Sequence, residues 1–266
     1  MWIDRNGTKI FAQTGGKPFD VEKPTVLLVH GAGMDQTVWQ QQSRYLAHHG
    51  WNVLAVDLPG HGRSEGAPLS GVGAGADWLV GLMDGLGLEQ ASLVGHSLGA
   101  LIALDAAGRY PDRIAKLALL GVTPKMPVHQ DLLDAAAANQ PVAGQLIVGW
   151  GFGKRAHRGG NIAPGMWMMG GGGRLLEHAR PGVLAADLTA ANAYADGLEA
   201  AGRVTCPALL LLGAADRMTP VKGAKALQES IADCRTVVLP GTGHMMMIEA
   251  PRETLKTLAG FLGADA

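Results

Sequence analysis

The sequence predicts an α/β fold: a mostly parallel sheet with helices on both faces. Two observations predict it. Short, unbroken apolar runs recur along the chain, and each is followed by glycine, proline or a polar turn residue and, in most cases, by a helical pattern. Unbroken runs suit strands buried on both faces, and their alternation with helices is that of a doubly wound sheet. A chain of 266 residues with 47% hydrophobic content can also bury a large core.

In chain order, Thr8 to Thr14 with Gly15-Gly16 after it predicts an antiparallel edge hairpin. The parallel strands are then Thr25–Val29, Val53–Val56, Ala91–Val94, Leu117–Leu120, Ala208–Leu212 and Thr236–Leu239. Residues 123–203 break the rhythm, with no clear strand. They hold an alanine-rich helical pattern from Asp131 to Asn139, Pro141, and a run Gly170 to Gly173 beside Met166, Trp167, Met168 and Met169. Each glycine lowers helix stability by about 1 kcal/mol against alanine, so the run is expected to end any helix. This stretch reads as a helical insertion, the lid or cap (123–203), in a core made of residues 1–122 and 204–266.

The formal net charge of −1 argues against nucleic acid or an anionic membrane as a partner, and Lys154, Arg155 and Arg158 are too few for a phosphate-tracking surface. No run of 18 apolar residues is present, so no membrane span is expected. The N-terminus lacks a basic then apolar leader pattern, which places the expected location in the cytoplasm. Cys206 and Cys234 read as reduced thiols; both precede neighbouring parallel strands, so proximity between them stays open. No metal and no cofactor are expected.

The chemistry centres on Gly95-His96-Ser97-Leu98-Gly99, set between the strand Ala91–Val94 and the helical run Ala100 to Ala107. This G-x-S-x-G pattern suits a strained strand-to-helix turn that lifts a serine hydroxyl above the sheet. A serine N-cap in a glycine-rich turn is the competing structural reading. A serine hydroxyl needs a base, and His244 follows the last strand in Gly241-Thr242-Gly243-His244. His30, His61 and His96 read instead as hydrogen-bonded structural histidines. The base needs an acid, and Asp216 follows the strand Ala208–Leu212; its competing reading is a cap for the helix opening at Thr219-Pro220. Gly121-Val122-Thr123, after the strand Leu117–Leu120, carries no carboxylate. The order is then Ser97, Asp216, His244. His30-Gly31-Ala32-Gly33 follows the strand Thr25–Val29, so the Ala32 and Leu98 N–H groups are the expected oxyanion donors.

His30-Gly31-Ala32-Gly33, Asp57-Leu58-Pro59-Gly60-His61-Gly62-Arg63-Ser64, Gly95 to Gly99, Gly213-Ala214-Ala215-Asp216 and Gly243-His244 together resemble the α/β-hydrolase superfamily over residues 30–244. The resemblance implies an eight-stranded, mostly parallel sheet, with a lid after the sixth strand. Epoxide hydrolases and haloalkane dehalogenases carry aspartate at the position of Ser97, and hydroxynitrile lyases carry a lysine near the base, where this chain has Met245-Met246-Met247. The expected activity is a serine carboxylic ester hydrolase acting on small to medium apolar substrates. Met166, Trp167 and Met245 are candidate substrate contacts. A lactonase or carbon–carbon bond hydrolase with the same three residues, and a non-catalytic small-molecule receptor, are the alternatives.

Overall fold

The computed structural model describes residues 1–160 and 167–264. Its eight strands are β1 (Trp2–Arg5), β2 (Thr8–Gln13), β3 (Thr25–Val29), β4 (Asn52–Val56), β5 (Ala91–His96), β6 (Ile114–Leu120), β7 (Ala208–Gly213) and β8 (Cys234–Leu239). They form one sheet in the order β1-β2-β4-β3-β5-β6-β7-β8. Only β1 with β2 and β2 with β4 pair antiparallel; all the other pairs are parallel. The edge hairpin lies earlier than expected. Its turn is Asn6-Gly7, with φ of 53° and 81°, and not Gly15-Gly16. Asn-Gly suits a two-residue hairpin turn whose central residues both need positive φ.

Along the parallel strands, alternate side chains enter separate cores on the two faces. Leu27, Val29, Leu93, Leu117 and Leu210 face one core, and Val26, Leu28, Val94, Ala118 and Leu209 the other. This period of two explains why the strand runs are apolar at every position. The first core is covered by α2 (Val72–Gly85) and α3 (Leu98–Arg109), the second partly by α1 (Gln40–His48).

Between β6 and β7 lie α4 (Gln130–Ala137), α5 (Pro141–Gly151), α6 (Lys154–His157), α7 (Met168–Glu177), α8 (Val183–Ala193) and α9 (Gly197–Gly202). The chain ends with α10 (Val221–Ser230), α11 (Met246–Glu249) and α12 (Pro251–Leu262). One expectation is corrected here: α7 runs through Gly170 to Gly173 and is not ended by them. Packing outweighs propensity. A Cβ on Gly172 would come within 2.8 Å of the Phe152 ring, so the small residue is what lets α7 lie close to the end of α5.

Among the described residues, no helix is long and apolar enough to cross a membrane. Cys206 and Cys234 are free thiols, and burial pushes Cys206 up to about 11.

Candidate active site

Ser97, Asp216 and His244 stand past the C-terminal ends of β5, β7 and β8 respectively, on one edge of the sheet. Ser97 has φ 54° and ψ −119°, a conformation an L-residue avoids unless its surroundings impose it. The surroundings here are backbone. A Cβ on Gly95 would lie 2.2 Å from the Gly99 carbonyl oxygen, and one on Gly99 would lie 2.4 Å from those of Val29 and His30. Both flanking glycines are therefore required by close approach, and the Ser97 N–H is held by the Leu120 carbonyl at 3.0 Å.

His244 is buried and fixed through its ring and its backbone. Its N–H donates to the Gly151 carbonyl at 2.6 Å, at the end of α5. Its own carbonyl accepts from His96 Nε2 at 2.9 Å. Its Nδ1 lies 2.8 Å from Asp216 Oδ2, so the neutral ring carries its proton on Nδ1 and a lone pair on Nε2. That Nε2 is buried with no hydrogen-bond partner among the described residues. Gly213 permits the two loops to meet: a Cβ there would strike the Gly243 carbonyl at 2.0 Å.

The two oxygens of Asp216 divide their tasks. Oδ1 accepts the Met218 and Thr219 N–H groups at 2.8 and 2.9 Å, which turns the chain toward α10. Oδ2 accepts His244 and the Thr219 hydroxyl. Burial alone would raise this carboxyl, but the His244 charge and bond and the Thr219 donors override it and hold it down at about 2. Asp216 does not cap α10, whose N-cap is Pro220 with no side-chain bond; its Oδ1 closes the turn that precedes the helix.

His30, His61 and His96 are buried and hydrogen-bonded within the protein. His30 donates from Nδ1 to the Gly31 carbonyl and accepts the Leu58 N–H on Nε2, and burial pushes it down to about 3. Burial and the neighbouring His244 do the same to His96. His61 differs: both ring nitrogens face acceptors, Pro59 O at 3.0 Å and Asp187 Oδ2 at 2.8 Å. Burial opposes its charge, yet the Asp187 bond and charge raise it above the ordinary value.

Ala32, Ser97, Leu98 and His244 share the wall of a cavity of about 310 Å³. Leu98 is the first residue of α3, where an N–H has no intrahelical acceptor. Ala32 sits in a turn closed by Met34 N to Gly31 O at 3.2 Å, with Gly33 at φ 67°. The rest of the wall is largely apolar, including Met126, Leu132, Ile147, Trp150 and Leu188, with Arg217 as an exposed cation.

The substrate-contact expectations need correction. Trp167 is 71% exposed and outside the wall, because its ring packs along Gly170 on the surface of α7. Met245 is buried beside Gly151 and does not line the cavity. Met166 falls outside the described residues. Among the described residues, the methionines that line the wall are Met34, Met126 and Met218. Sequence reasoning also missed Thr219, Asp187 and Glu249; the last accepts the N–H groups of Gly153, Gly243 and Met245 and so clamps the His244 loop. Only Thr219 had a local signal, its position three residues after Asp216.

Chemically, the arrangement offers a serine hydroxyl on an imposed turn, an imidazole lone pair on the same cavity wall, and a carboxylate behind the imidazole. Residues 26–257 match the Alpha/beta hydrolase family. The chain is 31% identical over 268 residues to a pimeloyl-[acyl-carrier protein] methyl ester esterase of Chromobacterium violaceum, covering 97% of this chain and 99% of that one. It is 29% identical to a 2-(acetamidomethylene)succinate hydrolase of Mesorhizobium japonicum, covering 91% and 88%. An enol-lactonase of Burkholderia xenovorans superposes with a TM-score of 0.87 at 24% identity, covering 99% of this chain and 100% of that one, which bears on fold alone.

Proposed function

The chain belongs to the alpha/beta hydrolase family, and on that premise we propose that it is a serine hydrolase of carboxylic esters with small to medium acyl groups. The observation that carries this reading is the state of His244. Its Nδ1 is bound to Asp216 while its Nε2 has no hydrogen-bond partner among the described residues, and the ring lies on the cavity wall that also holds Ser97.

In the proposed reaction, Ser97 Oγ attacks the ester carbonyl and its proton passes to His244 Nε2. The Asp216 carboxylate faces the imidazolium that forms, and the carbonyl oxygen gains negative charge opposite the Ala32 and Leu98 N–H groups. His244 then gives the proton to the leaving alkoxide. Water, activated by the same imidazole, cleaves the acyl-enzyme. Residues 1–122 and 204–266 serve as the core domain and 123–203 as the lid, whose Leu132, Ile147, Trp150 and Leu188 would meet the acyl chain.

The mostly apolar wall favours an apolar acyl group. Arg217 adds a cation at that wall, where no aspartate or glutamate lies among the described lining residues. It suits an ester bearing a second, distal anionic group, in keeping with the succinate in the name of one relative. A panel of p-nitrophenyl esters, lactones, thioesters and diketones, run with wild type and Ser97→Ala, tests the reading. Ester turnover that disappears in the variant is expected. Turnover retained in Ser97→Ala, or no ester turnover and no labelling of Ser97 by a fluorophosphonate in wild type, rejects it.

A further inference from the structure

The β6–β7 insertion touches the oxyanion loop through a buried carboxylate that the proposed reaction does not use. Asp187, on α8, is nearly inaccessible, as is its partner His61 (4% and 2% side-chain exposure). Its Oδ2 accepts the Gly33 N–H at 2.8 Å and His61 Nε2 at 2.8 Å. His61 donates its other N–H to the Pro59 carbonyl, so it carries the charge that neutralises Asp187 inside the protein. The same Gly33 is pressed from above by the insertion. A Cβ there would meet Leu184 of α8 at 2.9 Å and Leu176 of α7 at 3.2 Å. Gly33 is also the left-handed residue of the turn that presents Ala32 to the cavity.

We propose that Asp187 is a positioning residue: by holding the Gly33 N–H from the insertion, it sets the Gly31–Met34 turn so that the Ala32 N–H points at the developing oxyanion. The inference rests on the ester-hydrolase reading. Its physical basis is that Ala32 and Gly33 are consecutive. Fixing the Ala32–Gly33 peptide plane by a charge-assisted bond fixes the torsions that orient the preceding N–H. The Gly33 amide would otherwise be a buried donor free to reorient. Because Asp187 belongs to α8, the oxyanion site is complete only with the insertion seated, and His61 is the core-side partner of that carboxylate.

The test separates positioning from mere docking. Asp187→Ala removes both bonds; Asp187→Asn keeps the shape and one acceptor oxygen but loses the charge. Each is measured against wild type with a short p-nitrophenyl ester and a trifluoromethyl ketone. The ketone mimics the reacting state: Ser97 Oγ bonds its carbonyl carbon, the π pair moves onto oxygen, and the Ser97 proton passes to His244 Nε2. A misaimed donor is expected to lower kcat by roughly 10- to 100-fold, below the loss for deleting a donor outright, with KM changed less than about threefold. Ketone affinity should fall by the same factor, and Asp187→Asn should lie between wild type and Asp187→Ala. His61→Gln, which leaves the Gly33 bond but removes the counter-ion, should show a smaller loss in the same direction. Folded variants with wild-type kcat overturn the proposal, as does a kcat loss without a matching loss in ketone affinity. If Asp187→Ala does not fold, the same criteria apply to Asp187→Asn and His61→Gln. Absence of Ser97-dependent turnover in wild type would instead reject the underlying ester-hydrolase reading, so the two failures are distinct.

Discussion

The Thr219 hydroxyl donates to Asp216 Oδ2 at 2.6 Å, the oxygen that also receives His244 Nδ1 at 2.8 Å. Thr219 Oγ1 in turn lies 3.2 Å from His244 Nδ1, so three side chains share one corner. The Asp216 carboxyl, held at about 2 despite its burial, depends on both neighbours. A carboxyl lowered in the folded state stabilises it above its unfolded value of about 3.9, and that contribution is lost as pH falls through the folded value. Thr219→Val removes one donor and keeps the shape. It should reduce stability near neutral pH by about 1–2 kcal/mol and move the acid-unfolding midpoint to higher pH. Urea unfolding at a series of pH values reads both, and an unmoved midpoint would show that Thr219 does not hold the carboxylate.

Gly121 shapes the seat of the His244 ring. Its φ is 57°, and a Cβ there would stand 2.9 Å from His244 Nδ1. Gly121→Ala should lower kcat/KM by about 100-fold by displacing the imidazole, with a backbone cost of about 1–2 kcal/mol. Esterase kinetics beside a thermal melt check this. Full activity in a folded variant would mean the ring has room to move.

The four glycines of α7 should not behave alike. Gly171 and Gly173 have open space where a Cβ would stand, whereas Gly172 would meet the Phe152 ring at 2.8 Å. Gly171→Ala and Gly173→Ala should each stabilise the protein by about 0.5–1 kcal/mol, while Gly172→Ala should destabilise it. Denaturant midpoints decide. Stabilisation by all three would remove the packing explanation for the run.

Arg217 lines the cavity and is exposed to solvent. An ester carrying a distal carboxylate should therefore be taken at lower KM than its neutral counterpart of the same length. Arg217→Met should erase that preference, a change of about 3- to 10-fold in KM that weakens with added salt, and leave the neutral ester unaffected. Paired substrates at two ionic strengths provide the measurement, and an equal effect on both esters would exclude anion recognition.

Much of this was legible in the sequence because it is written locally. Six parallel strands were readable from unbroken apolar runs, and Ser97, Asp216 and His244 from short strings each set after a strand. β1 was missed, although Asn6-Gly7 is a strong hairpin signal, because Gly15-Gly16 drew the turn to the wrong place. α7 was misjudged because propensity alone ignores Phe152 waiting across the interface. Asp187 could not be found by any local rule: its partner His61 is 126 positions away, and neither residue stands in a pattern that predicts the other. Trp167 and Met245 were chosen by residue type, which says nothing about the direction a side chain faces.

The backbone of His244 is gripped from two sides, by the Gly151 carbonyl at the end of α5 and by His96 Nε2 from β5. The consequence concerns modularity. A recombinant chimaera that exchanged the β6–β7 segment for one from a relative would replace the acceptor of the His244 amide along with the cavity wall. Any such graft should preserve a carbonyl at the place of Gly151, or the new specificity will arrive with a loosened His244.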